Sequence, residues 1–298
     1  MNQDLTIQLP HAITLTVKRE DLLHPFVSGN KFRKLKYNLL EAKSVKKNGL
    51  LTFGGAYSNH IAAVAYAASE AGMRSIGVIR GDELADKIHD NPTLKFAQEC
   101  GMEFEFVSRE AYRNKNEKAY LEQLQNRYDD CYIIPEGGTN ALAIKGCEEI
   151  LTPEDAQFDY VCCAVGTAGT ISGIINSALP HQKVLGFPAL KGDFLQDEIR
   201  IFVENKNWEL ITNYHFGGYG KVTAELIVFI NQFFEDTGVL LDPIYTGKMF
   251  FGVIDLITNN YFKPQSKILL IHTGGLQGIH GMNTLLKKKQ LPLINGYV

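Results

Sequence analysis

The sequence predicts an α/β protein built of twisted, mostly parallel sheets flanked by helices. Three observations carry that expectation. Short apolar runs alternate with segments of helical period through most of the chain. Glycine-rich pieces follow several of those runs. The 298 residues suffice for two such units. In chain order, a strand is expected over 50–53 and an alanine-rich helix over 59–71. A strand over 75–79 precedes a helix over 92–100, and a strand over 104–107 precedes a helix over 117–127. A strand over 132–135 precedes a helix over 142–151, and the strands 160–165, 184–187 and 268–271 continue the series with helices between. Such alternation implies parallel pairing through right-handed crossovers. Ligands of such sheets collect at the carboxyl ends of the strands. Gly54-Gly55, Gly137-Gly138, residues 166–169 and Gly274-Gly275 all fall at those ends, where glycine lets backbone approach a ligand closely.

Composition narrows the function classes. Hydrophobic residues make up 45% and charged residues 21%, as in globular proteins generally, and the net charge of −3 points away from a nucleic-acid partner. No apolar run reaches the roughly 18 residues of a membrane span. Met1-Asn2-Gln3-Asp4 lacks the charged-then-apolar pattern of a secretory leader. The five cysteines have no CxxC spacing, which argues against a zinc or redox motif; they read as buried thiols of a cytoplasmic protein. Cys162 and Cys163 are neighbours in one expected strand, so they should face opposite ways.

Four segments carry chemistry. In Ser28-Gly29-Asn30-Lys31, a tight turn opens a helix and can hold a lysine amine at a fixed point. A lysine in a dry pocket has a lowered pKa and condenses with aldehydes. The same residues also read as an ordinary N-cap, Ser28 or Asn30, before a basic amphipathic helix. In residues 161–173 a strand runs into Gly166-Thr167-Ala168-Gly169-Thr170 and then a helix, which makes an anion cradle of backbone N–H groups with threonine hydroxyls as extra donors. The loop lacks a Walker lysine, and the next strand ends in Phe187-Pro188 with no acid for a ribose, so a single phosphate monoester fits it better than a nucleotide. Ser58 and Asn59 open the alanine-rich helix, as an N-cap or an anion site. Thr273, after the strand ending at 271, sets a hydroxyl at a strand end.

Together these segments resemble the pyridoxal-phosphate (PLP) enzymes of fold type II, the tryptophan-synthase-β-like group. Within it they are most similar to the 1-aminocyclopropane-1-carboxylate (ACC) deaminase / D-cysteine desulfhydrase family. The matching pieces are Lys18-Arg19-Glu20-Asp21, Gly29-Asn30-Lys31-x-Arg33-Lys34-Leu35, Gly54-Gly55-x-x-Ser58-Asn59-His60, Pro135-Glu136-Gly137-Gly138, residues 166–170, Tyr245-Thr246-Gly247-Lys248 and His272-Thr273-Gly274-Gly275. The resemblance implies PLP as cofactor, Lys31 as the lysine that holds it and moves protons at Cα, and Asn59 on its 3-hydroxyl. It implies Gly166, Thr167, Ala168, Gly169 and Thr170 on the phosphate and Thr273 near the pyridine nitrogen. Ser58, Asn59 and His60 would receive the substrate carboxylate, with Tyr219 and Tyr245 on the substrate side. Lys34 could reach the phosphate, although an exposed helix lysine is the commoner case.

The resemblance also implies a small domain, residues 36–145, inserted into a large one made of 1–35 and 146–298, with the cofactor between them, and a homodimer. The implied activity is α,β-elimination from a small D-amino acid, D-cysteine giving pyruvate, sulfide and ammonia. The ACC-opening branch typically has Glu and Leu where this chain has Thr246 and Thr273. ACC deamination is therefore the alternative, as is action on another small amino acid. A non-catalytic PLP-binding protein and a nucleotide-binding α/β protein are further classes. Lys31, Ser58, Asn59 and the two tyrosines argue against the first, the missing Walker lysine and ribose acid against the second.

Overall fold

A computed structural model describes residues 1–27 and 29–297, so Ser28, one of the two N-cap candidates, lies outside the described residues. The strands are β1 (Asn2–Asp4), β2 (Thr14–Lys18), β3 (Gly49–Gly54), β4 (Arg74–Arg80), β5 (Met102–Val107), β6 (Cys131–Ile134), β7 (Tyr160–Val165), β8 (Lys183–Pro188), β9 (Trp208–Leu210) and β10 (Lys267–Ile271). The helices are α1 (Asn30–Ser44), α2 (Asn59–Glu70), α3 (Pro92–Glu99), α4 (Lys118–Arg127), α5 (Ala141–Glu148), α6 (Ala168–Ser177), α7 (Phe194–Arg200), α8 (Ala224–Thr237), α9 (Thr246–Thr258) and α10 (Gly278–Lys288). The chain divides into two compact units. One comprises Met1–Leu23, Ser28–Asn30 and Cys147–Val298, the other His24–Val27 and Lys31–Gly146. Among the described residues no helix is long and apolar enough to cross a membrane.

The first unit holds a six-stranded sheet of order β1-β2-β10-β7-β8-β9. It is parallel except for the β1–β2 pair, with Leu270 opposite Val17 and Cys162, and Ala164 opposite Phe187. Both faces are buried, which is why these strands are continuous apolar runs. Ile268, Leu270 and Cys162 enter the core on one face, while Leu269, Ile271 and Cys163 enter that on the other. The expected opposition of the two cysteines is met. Strand β2 has no clear apolar signature in the sequence because its end, Lys18, is charged; in the fold Lys18 is buried and paired with Asp155.

The second unit holds a parallel four-stranded sheet of order β5-β4-β3-β6, registered with Leu51 opposite Ile76 and Ile133. Helix α2 packs its alanines against β3 and β4, where small side chains allow close approach. Its start is fixed by Ser58, whose side chain accepts from the His60 and Ile61 N–H groups. Asn91 caps α3 in the same way, with Pro92 at the first helical position. Order β5-β4-β3-β6 reverses chain direction of growth between β3 and β6, and such a switch point opens a crevice at the carboxyl ends of those two strands.

Candidate active site

In the first unit the carboxyl ends of β10 and β7 build one cluster. After β10, His272 meets the Leu240 carbonyl through Nε2 at 2.7 Å, and its Nδ1 lies 3.2 Å from the Gly274 N and 3.5 Å from Asp21 Oδ1, so its ring braces the turn. The Thr273 carbonyl accepts from the Asn30 N–H at 3.2 Å, and the Glu20 carbonyl accepts from the Gly29 N–H at 3.0 Å. Gly29 has φ +61°, and a Cβ there would stand 1.8 Å from the Thr273 oxygen. No residue but glycine passes this point without displacing the turn. Asn30 is pinned a second time, its Nδ2 donating to Thr170 Oγ1 at 2.8 Å. Lys31 is the next residue in the chain.

After β7, Gly166 and Thr167 lead into α6. The Thr167 side chain does not cap the helix, and the first turn carries no acid. Glycine at 166 leaves room for Tyr245, whose ring would stand 2.8 Å from a Cβ there. The Tyr245 N–H donates to Asp242 Oδ1 at 2.8 Å, and Tyr219 meets the Tyr245 ring edge-on at 6.1 Å. Tyr219 sits in a glycine-rich loop that Lys248 holds from beneath, donating to the His215 and Gly218 carbonyls at 2.9 and 3.0 Å. Burial lowers the Lys248 amine to about 8, against an opposing pull from Asp242. Thr246 is fully buried and donates to Asp242 Oδ2 at 2.6 Å. Lys248 and Asp242 were not singled out as functional from the sequence; the polar Thr246-Gly247-Lys248 opening of an otherwise apolar helix was the signal available.

In the second unit the cluster is cationic. Lys31 lies in the first turn of α1, half-buried. Lys34, one turn on, is 1% exposed and donates to the Gly137 carbonyl at 2.9 Å and to Thr139 Oγ1 at 3.2 Å. The exposed lysine that helix statistics favour is instead buried against the turn after β6. Gly138 has φ +72°, and a Cβ there would press on His60 at 2.9 Å. Thr52 gives its hydroxyl proton to the Ile134 carbonyl and so accepts from His60 Nε2, at 2.9 Å in each case. That fixes His60 as the Nε2–H tautomer, with Nδ1 buried and lacking a hydrogen-bond partner among the described residues. Burial, then the nearby charges of Lys31 and Lys34, hold its pKa well below the ordinary histidine value. Ser58 and Asn59 lie beside it at the start of α2.

The sequence-predicted residues thus fall into two groups. Gly166, Thr167, Ala168, Gly169, Thr170, Tyr219, Tyr245 and Thr273 belong to the first unit, and Lys31, Ser58, Asn59 and His60 to the second. Comparison with known proteins gives the following. A family model described as "Pyridoxal-phosphate dependent enzyme" matches residues 4–274. The chain is 32% identical over 305 aligned positions to an Arabidopsis thaliana protein named bifunctional D-cysteine desulfhydrase/1-aminocyclopropane-1-carboxylate deaminase, mitochondrial. That alignment covers 91% of this chain and 75% of the relative. Among solved structures, an ACC deaminase homologue superposes with a TM-score of 0.80 at 27% identity, covering 96% of this chain and 93% of the other. An O-acetylserine-dependent cystathionine β-synthase from Helicobacter pylori superposes with a TM-score of 0.67 at 14% identity, over 92% of each chain, a likeness of fold alone.

Proposed function

Because the chain belongs to the pyridoxal-phosphate dependent enzyme family, we propose that it catalyses α,β-elimination from a small D-amino acid, with D-cysteine and water giving pyruvate, sulfide and ammonia. The residues present suit the cofactor. The start of α6 offers first-turn N–H groups with no acid beside them and no side-chain cap, the donor set that a phosphate dianion requires. When bound, PLP supplies an aldehyde and an electron sink for charge developing at Cα.

This chain's residues do the rest. The Lys31 amine would hold the cofactor at its aldehyde and would move the proton at the substrate Cα. Lys34 donates to Gly137 and Thr139 from the same helix. Residues 166–170 take the phosphate, Asn59 the ring hydroxyl, and Ser58, Asn59 and His60 the substrate carboxylate. Tyr219 and Tyr245 orient the substrate or relay a proton. Residues 36–145 form the inserted small domain, and the enzyme works as a cytoplasmic homodimer.

The observation that carries the substrate choice is the pair Thr246 and Thr273, neutral hydroxyls with Thr246 wholly engaged by Asp242. A neutral group near the pyridine nitrogen does not hold it protonated. The resulting weaker sink is enough when a thiolate leaves Cβ, but not for opening an unactivated ring. ACC opening is the second reading, favoured by the bifunctional name of the Arabidopsis relative. A turnover screen on D-cysteine, L-cysteine, β-chloro-D-alanine, D-serine and ACC decides between them, reading pyruvate and 2-oxobutyrate. The expected result is sulfide and pyruvate from D-cysteine with little 2-oxobutyrate from ACC. Robust ACC turnover with none of D-cysteine overturns the substrate reading.

A further inference from the structure

A second crevice, of about 330 Å³, lies at the carboxyl edge of the four-stranded sheet and is lined by Arg80, Arg109, Tyr112, Arg113, Lys115 and Glu136. That volume is at the small end of ligand pockets. Its floor is Tyr112, buried to 3% exposure, with Lys115 over the ring at 5.2 Å and Arg80 at 5.9 Å. Arg80 closes β4 and reaches the turn after β3, where its Nη2 would stand 3.6 Å from a Cβ on Gly55.

The charges do not balance. Glu136, the one carboxylate of the lining, is already engaged: Oε1 accepts from the Tyr112 hydroxyl at 2.8 Å and Oε2 faces the Lys115 amine at 3.4 Å. Arg109 is paired with Glu83 at 2.7 Å, but both side chains are largely exposed, so that pair is weak and exchangeable. Arg80 and Arg113 make no side-chain hydrogen bond or ion pair among the described residues. Two exposed guanidinium groups, neither paired with a carboxylate among the described residues, therefore face one crevice whose carboxylate, Glu136, is engaged elsewhere. Guanidinium groups bind planar or tetrahedral oxyanions through paired N–H donors, and two of them match two negative charges.

We propose that this crevice is a binding site for a small dianion, a phosphate monoester or a dicarboxylate, held by Arg80 and Arg113 with Arg109 swinging in from the rim. It shares no residue with the α6 cradle and stands whether or not the substrate reading above is right. The test is calorimetric titration of the holoenzyme, whose own cradle is filled, at constant ionic strength. The probes are inorganic phosphate and malonate, with acetate as the monoanion control. Saturable binding of phosphate, malonate or both at one site per chain is expected, at least about tenfold tighter than acetate. Which probe binds tells the phosphate class from the dicarboxylate class. In Arg80→Gln/Arg113→Gln the affinity should fall at least about tenfold while the bound-cofactor absorbance is retained. Should that variant fail to fold, Arg113→Glu on the exposed rim should weaken binding in the same direction. No saturable binding to the wild type, or unchanged affinity in the folded variants, overturns the proposal.

Discussion

The α6 cradle in the first unit and the Lys31–Lys34–His60 group in the second handle charge by opposite means. The cradle has no ionised side chain: its donors are backbone N–H groups, fixed by the helix and by glycines that leave room around them. The second group is made of two lysines and an imidazole whose pKa is lowered first by its burial and then by their charges. A backbone site cannot titrate, so it suits a permanent anion. A titratable site suits a group whose proton must move.

If the backbone geometry is what counts in the first unit, the largest effect should come from Gly29→Ala. The new Cβ would overlap the Thr273 carbonyl in a left-handed backbone conformation. We expect a loss on the order of 3 kcal/mol or more in denaturant unfolding, with cofactor retention lost as well. An alanine variant of wild-type stability would show that the contact between residue 29 and the turn after β10 is dispensable.

Next is Gly169→Asp, a carboxylate in the acid-free first turn of α6, where Gly169 is buried. Facing a phosphate dianion, it should cost several kcal/mol of cofactor binding, on the order of a hundredfold or more in affinity. Fluorescence titration of the apoenzyme with PLP measures it. Equal affinity in the variant would move the cradle elsewhere.

Lys248 sharpens the contrast from within the first unit, because it is a buried, titratable amine that holds backbone there. Its amine is lowered to about 8, below the unfolded value. It loses its proton in the folded protein first, so the folded state gains stability as pH rises from about 8 towards the ordinary lysine range. Its hold on the carbonyls beneath Tyr219 weakens over the same interval. An alkaline fall in kcat/KM centred near pH 8 is expected, with KM rising more than kcat falls. Lys248→Met should lower activity at neutral pH and abolish that limb. A limb unchanged in the variant would assign it to another group.

The smallest effect should be at His60. Its folded pKa is depressed, so the unfolded chain takes up a proton first as pH falls below the ordinary histidine value. Stability from this group is therefore present above that value and lost below it, by at most about 1.4 kcal/mol per pH unit. His60→Gln should flatten that slope in unfolding curves between roughly pH 6.5 and 5. A slope that persists in the variant would mean that His60 is not the group responsible.

The same contrast explains what was legible in the sequence. β7, residues 166–170 and α6 are contiguous, and a strand, a glycine-threonine loop and a helix announce themselves locally. Strands β3 to β8 and β10 were readable as apolar runs for the same reason. β1 and β9, three residues each at the sheet edges, have too little pattern to be seen, and β2 is disguised by Lys18, whose partner Asp155 is far along the chain. The burial of Lys34 depends on Gly137 and Thr139, about a hundred residues away, and the lowered pKa of His60 on its burial first and then on charges from α1. Nothing local encodes those distances. Motif resemblance flagged the residues, and only the fold shows how they are held.

The central claim is that Lys31 carries the cofactor, and borohydride reduction of the holoenzyme followed by peptide mapping tests it most directly. A yellow protein is expected, bleached on reduction, with a single pyridoxyl group on the peptide containing Lys31. A pyridoxyl group on Lys34 or Lys36, or on no lysine at all, would contradict it.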